Sequence, residues 1–466
     1  MAADAPPEDR GYGRGAAVLS IGIGVTGLVT YAYFALASHS LTEEEYGRIT
    51  LLWSAVFVTV CILYRPVEQL LSRTIADRAA RGGRGDRHLR IAATIQLALG
   101  ALFLAGALAF RGRIENDLFG GSAELYWTLV VAVLAYAVSY FARGFLAGSH
   151  CFGLYGGLVF MEAVSRALFA LAVALGIASG QSVVALGIAA APIVSLAVVP
   201  WALGRHVARG EAADLTAAEA AEARLLDEAA GAEPGGEPEF TLAHGGGFAV
   251  AVLAIMAAEQ TFLNAGPLIV NATTDGAEGA VLAGFTFNVL LIARAPLQLF
   301  QAIQTTILPH LTRLTALGAG DPFRRSVNAT LVAIAGFAGC VALAMLVLGP
   351  WLMDTVFGGE LAYHRLGLVA ISLGMGLYLA AATLNQALLA RGLAAAAALC
   401  WAVSALAFVG FLLFGGFDDR VLQVEIGYAG AALLLCALLG TLYRRSHPPG
   451  APTGGTVAGQ ATRETS

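Results

Sequence analysis

Apolar positions along this chain come in long unbroken runs, and the polar positions collect between them rather than alternating with them. Runs of about 20 apolar residues, the length that carries a helix across a bilayer, recur from one end to the other. Lipid allows only helices or closed barrels as spanning backbone, and runs this long without alternation are helical. The pattern therefore predicts an all-α, polytopic membrane protein with about 12 transmembrane helices. They fall near residues 15–38, 49–70, 91–110, 124–142, 153–178, 182–204, 245–270, 279–306, 327–349, 365–390, 393–416 and 424–443. The polar segments divide the chain into an N-terminal segment (1–14), a six-helix bundle (15–204), a linker (205–244), a second six-helix bundle (245–446) and a tail (447–466). The linker is Ala- and Glu-rich and then breaks into Pro and Gly, which reads as solvated chain; the tail has a disordered composition.

Composition agrees. Of 466 residues 58% are hydrophobic and 13% charged, with a mean hydropathy of +0.73, whereas a soluble domain averages about 45–50% apolar and about 25% charged. Every basic residue is Arg, and the net charge of -5 speaks against a nucleic-acid partner. The five cysteines stand singly in apolar runs with no CxxC, so they read as small buried hydrophobes rather than metal ligands or disulfides. The first apolar run exceeds 20 residues, which favours an uncleaved spanning helix over a removed signal peptide.

The arginines set the expected orientation. Arg73, Arg78, Arg81, Arg84, Arg87 and Arg90 follow helix 2, and Arg143, Arg205, Arg324, Arg391 and Arg444 fall on the same side. The opposite loops are short and acidic, with Glu43, Glu44, Glu45, Asp275, Asp354 and Asp418. Positive residues stay inside, so both termini are expected to be cytoplasmic.

The chain is organised around residues 49–82, where an apolar run meets Arg65-Pro66 and continues as a polar helix. Residues 281–318 repeat the theme, with Arg294 just ahead of Pro296. Each Arg lies about 25 Å along its helix from the outer end. Pro66 pairs with Pro296, Glu68 with Gln298, and FARGFLAGSH at the helix 4–5 turn echoes ALLARGLAAA at the helix 10–11 turn. Such parallel repeats predict substrate binding at the interface of two rocking halves.

Ionisable groups inside a spanning helix cost about 3 kcal/mol or more, so they face a cavity or a partner. Arg65 and Arg294 either do so or snorkel to the headgroups. Glu162 and Arg166 share one face of helix 5 at i,i+4, either as a self-neutralising pair or as part of a site. Glu259 on helix 7 either takes up a coupling proton or pairs with an arginine. Glu68 and Glu162 are further ion-coupling candidates. Gln298 and Gln301 line one side of helix 8, with Asn288 above them, while Asn385 and Gln386 on helix 10 suit bonds between helices. A lumen of arginines and amides suits an anionic head, because the guanidinium fork matches phosphate oxygens. No G-x-x-x-x-G-K phosphate loop, HExxH or catalytic triad is present, so an enzyme, a cofactor or a metal centre is not expected.

Two stretches carry a family resemblance: LTEEEYGRITLLWSAVFVTVCILYRPVEQLLSRTIADRAARG and YFARGFLAGSHCFGLYGGLVFMEAVSRALFAL. They resemble the first and the helix 4–5 hairpins of Wzx-type polysaccharide flippases, in the multidrug/oligosaccharidyl-lipid/polysaccharide (MOP) exporter superfamily. The resemblance implies two six-helix bundles in a MATE-like V. It also implies a lipid-linked oligosaccharide, carried on undecaprenyl diphosphate, moved to the outer leaflet, alongside glycosyltransferases or a polymerase of one pathway. Many members have fourteen helices, and this chain has twelve. The expected site is Arg166 and Arg294 on the diphosphate from opposite halves, with Arg65 at the cytoplasmic entrance. The rival readings are a multidrug exporter, a major-facilitator-type exporter, whose loop motif is only half present at Asp77-Arg78, and a non-transporting scaffold of an envelope glycan complex.

Overall fold

A computed structural model describes residues 7–80, 87–149, 151–208, 242–292, 320–358 and 363–446 of the chain. All regular structure among them is helical. The first set of helices comprises α1 (Pro7–Ser40), α2 (Glu43–Leu63), α3 (Arg65–Ala80), α4 (Arg87–Ala109), α5 (Ala123–Gly148), α6 (Phe152–Ala174) and α7 (Gln181–Ala208). The second comprises α8 (Leu242–Thr273), α9 (Gly276–Ile292), α10 (Gly320–Phe357), α11 (Arg365–Ala390), α12 (Ala394–Phe414) and α13 (Arg420–Arg445). Among the described residues nine spans are long and apolar enough to cross a membrane, with α2 and α3 forming one of them. Shorter apolar helices at Gln181–Ala197 and Gly276–Ile292, together with α1, complete the predicted passes of a multi-pass membrane protein.

The second pass begins earlier than its apolar run, because Thr42 caps it. The Thr42 hydroxyl accepts from the Glu45 amide at 3.3 Å, and the Glu45 carboxylate accepts from the Thr42 amide at 3.1 Å, a reciprocal capping box. Tyr46 and Gly47 therefore lie in the first turns of α2, not in the loop ahead of it. The pass breaks at Tyr64, just before Arg65-Pro66, since proline has no N–H to give to the preceding turn. Arg65 and Glu68 start α3 on the new axis.

Helix pairing in the first six passes recurs six passes later. α1 lies on α6, α6 on α7, α5 on α7 and α4 on α5; correspondingly α8 lies on α12, α12 on α13, α11 on α13 and α10 on α11. Between the two sets the main described contact is α2 against α8. At the distal end, opposite the chain termini, α2 also crosses α9. There a Cβ on Gly47 would stand 1.9 Å from the Ala280 carbonyl oxygen, and Gly284 faces the Gly47 backbone, so the crossing requires glycine. Within the first set, Gly144 and Gly148 let α5 close on the α3 backbone at Glu68 and Ser72. That approach fixes where the charges of α3 and α5 meet. The middle of the linker, the tail, and Arg294, Gln298 and Gln301 lie outside the described residues.

Candidate functional site

Where α3, α5 and α6 approach α8 and α11, the helices carry a concentration of buried and half-buried charge. Its best-ordered part is antiparallel α5 against α6. Tyr136, Ser139 and Arg143 follow one face of α5 at i, i+3 and i+7. Ser139 donates to the Glu162 carboxylate at 2.5 Å, and Arg143 forms an ion pair with the same carboxylate. The Arg143 guanidinium also stands 4.6 Å from the Tyr140 ring centre. One turn along α6, Arg166 donates to the Tyr136 hydroxyl at 2.6 Å and lies 5.1 Å from the Trp53 ring and 5.9 Å from that of Phe57. It is 5% exposed.

Of the two readings of Glu162 and Arg166, a pair along one helix face does not occur. Both side chains reach across to α5, where they meet different turns, and Glu162 is taken by Arg143. Among the described residues Arg166 has no carboxylate in ion-pair contact, and its Nε has no hydrogen-bond partner. Aromatic faces and one phenol hold its charge instead.

Arg65 differs from both. It is half-buried, and among the described residues its guanidinium makes no hydrogen bond or direct ion pair. The strongest charge acting on it is the carboxylate of Glu259, from α8 of the other set, with Cys61, Tyr140 and Glu68 following. Tyr378 of α11 lies close to the same Glu259. Glu68 accepts from the Tyr155 hydroxyl at 3.1 Å and feels both Arg143 and Arg65. The cluster thus gathers the expected residues Arg65, Glu68, Glu162 and Glu259, and adds Arg143, Tyr155 and Tyr378. Gln260 and Asn264 of α8 bond to each other, with Asn264 Nδ2 at 3.1 Å from Gln260 Oε1.

Asn288 stands apart from this cluster, at the distal end. It accepts from the Tyr46 hydroxyl and donates to the Tyr363 hydroxyl at 3.2 Å, so both ends of its amide are engaged. Burial pushes the Tyr363 phenol well above its ordinary value, so it remains a neutral acceptor. Tyr31 donates to the Leu291 carbonyl, and Phe34 packs on Phe287 at 4.6 Å and on Trp53 at 4.8 Å between ring centres, tying α1 to α9 and α2 deeper in the helices. Asn385 accepts from Trp401 at 3.2 Å, the bond between helices expected of it.

Glu425 is a buried carboxylate that sequence reasoning passed over. It is 1% exposed, has no partner for Oε2 among the described residues, and lies against Gly367, where no side chain intervenes. Arg143 was legible only as a charge near a helix end. Its position one residue before the Gly144/Gly148 stripe is the signal that it turns inward. Among the described residues no three His, Cys, Asp or Glu side chains group as a metal-ligand set.

No protein-family model matches the chain, and no curated protein matches it in sequence. Solved structures do. An inward-facing MATE family multidrug resistance transporter of the MOP superfamily aligns with a TM-score of 0.61 at 12% identity, covering 92% of this chain and 97% of that one. A mutant of the Vibrio cholerae MATE transporter VcmN gives 0.54 at 13%, over 93% and 97%. The lipid II flippase MurJ in its inward closed conformation gives 0.57 at 13%, over 92% and 87%. At such identities the likeness is one of architecture: this all-α chain has the fold shared by MATE transporters and the MurJ flippase.

Proposed function

We propose that this chain is an alternating-access flippase that carries a lipid-diphosphate-linked oligosaccharide from the cytoplasmic to the outer leaflet, with Arg65 as its first contact to the diphosphate. The observation that carries the reading is the state of the three described deep arginines. Arg143 is committed to Glu162, and Arg166 is enclosed by Tyr136 and aromatic rings. Of the three, Arg65 makes no hydrogen bond or direct ion pair among the described residues, and a half-buried guanidinium held only by the more distant pull of Glu259 suits phosphate oxygens. Arg294, its counterpart in the sequence repeat, is the proposed contact from the other half, with Gln298 and Gln301 beside it. Arg166 holds the wall behind the site. Among the neighbours in fold is a lipid II flippase by name.

In this reading Glu259 is the resident competitor. It draws Arg65 toward the opposite half while the site is empty, and an arriving diphosphate, or neutralisation of Glu259 by a proton or cation, releases it. Binding at Arg65 and the relation of the halves are thereby linked. The halves themselves are proposed as the two sets of six passes, both termini being cytoplasmic.

A second reading, export of a cationic small molecule, is favoured by the local charge. Glu68, Glu162 and Glu259 bring three carboxylates to the cluster, and of its arginines Arg166 is turned to aromatic rings and a phenol rather than to any of them. Binding separates the two. Purified protein titrated with a fluorescent polyprenyl diphosphate should bind it more tightly than the monophosphate, and Arg65→Gln should abolish that preference. Binding of a lipophilic cation instead, lost in Glu259→Gln, supports the exporter. Binding of neither points to a scaffold.

A further inference from the structure

The end of the second set nearest the chain termini holds a cavity of about 650 Å³ that the transport reading does not use. Arg324, Asn328 and Leu331 line it from one face of α10, and Ala437, Thr441 and Arg444 from one face of α13. Each trio follows helical spacing, so the cavity is a groove between two helices with its polar groups toward the mouth and its apolar groups within. Leu384 of α11 and Gly440 of α13 make the floor.

Two features point to an anion. Arg324 and Arg444 have no ion-pair partner among the described residues. A third arginine stands behind them: Arg391 lies 4.3 Å from the Tyr443 ring and 4.8 Å from that of Phe323, and donates to the Tyr443 and Ser446 carbonyls, each at 3.1 Å. It feels the Arg324 charge, so a further positive charge stands behind the groove wall with no acid in ion-pair contact among the described residues. A third feature points to a lipid rather than a free ion. Beside the groove-lining face, α10 exposes large aliphatic side chains, Val332 at 72% and Leu343 at 62%. Basic pockets between spanning helices at the level of the headgroups take phospholipid phosphates.

We infer that this groove holds the phosphodiester headgroup of an anionic membrane phospholipid between Arg324 and Arg444, with an acyl chain over Leu331 and Leu384. The site is separate from the Arg65 cluster, and the inference stands whatever the transported substrate is.

Native mass spectrometry of the full chain released from phosphatidylcholine bicelles containing phosphatidylglycerol tests it. Wild type should retain one phosphatidylglycerol in preference to phosphatidylcholine. Arg324→Gln with Arg444→Gln should weaken that retention about thirtyfold, as expected for two arginines at a headgroup. Arg90→Gln, which removes an exposed arginine of α4, should leave it unchanged. Gly440→Leu fills the floor while leaving both charges, and should also expel the lipid, which gives a result if the double variant fails to fold. Equal retention of both lipids, retention unaffected by Gly440→Leu, or an equal loss in Arg90→Gln would overturn the site in favour of plain surface charge. Displacement of phosphatidylglycerol by inorganic phosphate at matching concentration would overturn the lipid in favour of a free anion.

Discussion

Tyr46 of α2 donates its hydroxyl hydrogen to the side-chain carbonyl of Asn288 on α9, joining residues 242 positions apart across the distal end of the molecule. Asn288 passes the connection on to Tyr363. Opening this end requires both bonds to break together with the Gly47–Ala280 crossing.

Asn288→Ala leaves two buried phenols without their partner, at a cost of about 1–3 kcal/mol each that is relieved only when the end opens. In a background lacking other thiols, Ala283→Cys, fully buried at the α2–α9 crossing, should then react faster with an impermeant maleimide added from the distal side. An unchanged labelling rate would show that the bond does not hold the end shut.

The Arg143–Glu162 pair is nearly dry, with 11% and 2% of the side chains exposed. Removing one member strands the other charge, so Arg143→Ala should lower stability by about 3 kcal/mol in thermal unfolding of the purified protein. Replacing both by alanine should recover part of the loss. If the double variant is less stable than Arg143→Ala, the pair is not coupled as described.

Gly144→Leu drives a side chain into the Glu68 carbonyl, 2.9 Å from the glycine Cβ position. It should separate α3 from α5 and reduce the yield of folded protein severalfold, whereas Gly153→Leu, at a position with open space, should be tolerated. Equal yields of the two variants would contradict the packing.

The passes were legible because a bilayer imposes one length and one polarity on each of them, and no tertiary contact can override that. The start of α2 was legible only six residues late, at 49, because the run of three glutamates reads as an acidic loop, although Thr42 and Glu45 stand at capping-box spacing. The site was legible as a set of residues and not as a set of partnerships. Arg65, Glu162 and Glu259 are conspicuous as charges in apolar surroundings. Their partners are fixed by which helices lie side by side, and that follows from the small-residue crossings at Gly47 and Gly144. Glu162 and Arg166 show the difference. Sequence spacing puts them on one face, but α5 offers Arg143 to one and Tyr136 to the other. Asn288 likewise reads as a lumenal amide, and α2 and the residue ahead of α11 claim it at the distal end.

If Glu259 competes for Arg65, then Glu259→Gln should raise affinity for a polyprenyl diphosphate about tenfold, the scale of one charge acting at several ångströms in a half-buried site. An unchanged affinity would remove Glu259 from the mechanism.

The central claim is that Arg65 carries a lipid diphosphate through the membrane. The direct measurement is the rate at which a fluorescent polyprenyl-diphosphate-linked sugar crosses the bilayer of proteoliposomes, read by quenching from outside. Wild-type protein should move it well above the rate of protein-free vesicles. Arg65→Lys should slow the movement, and Arg65→Gln should bring it to the protein-free rate with the protein still folded. Movement by Arg65→Gln at the wild-type rate, or none by wild type, would contradict the account.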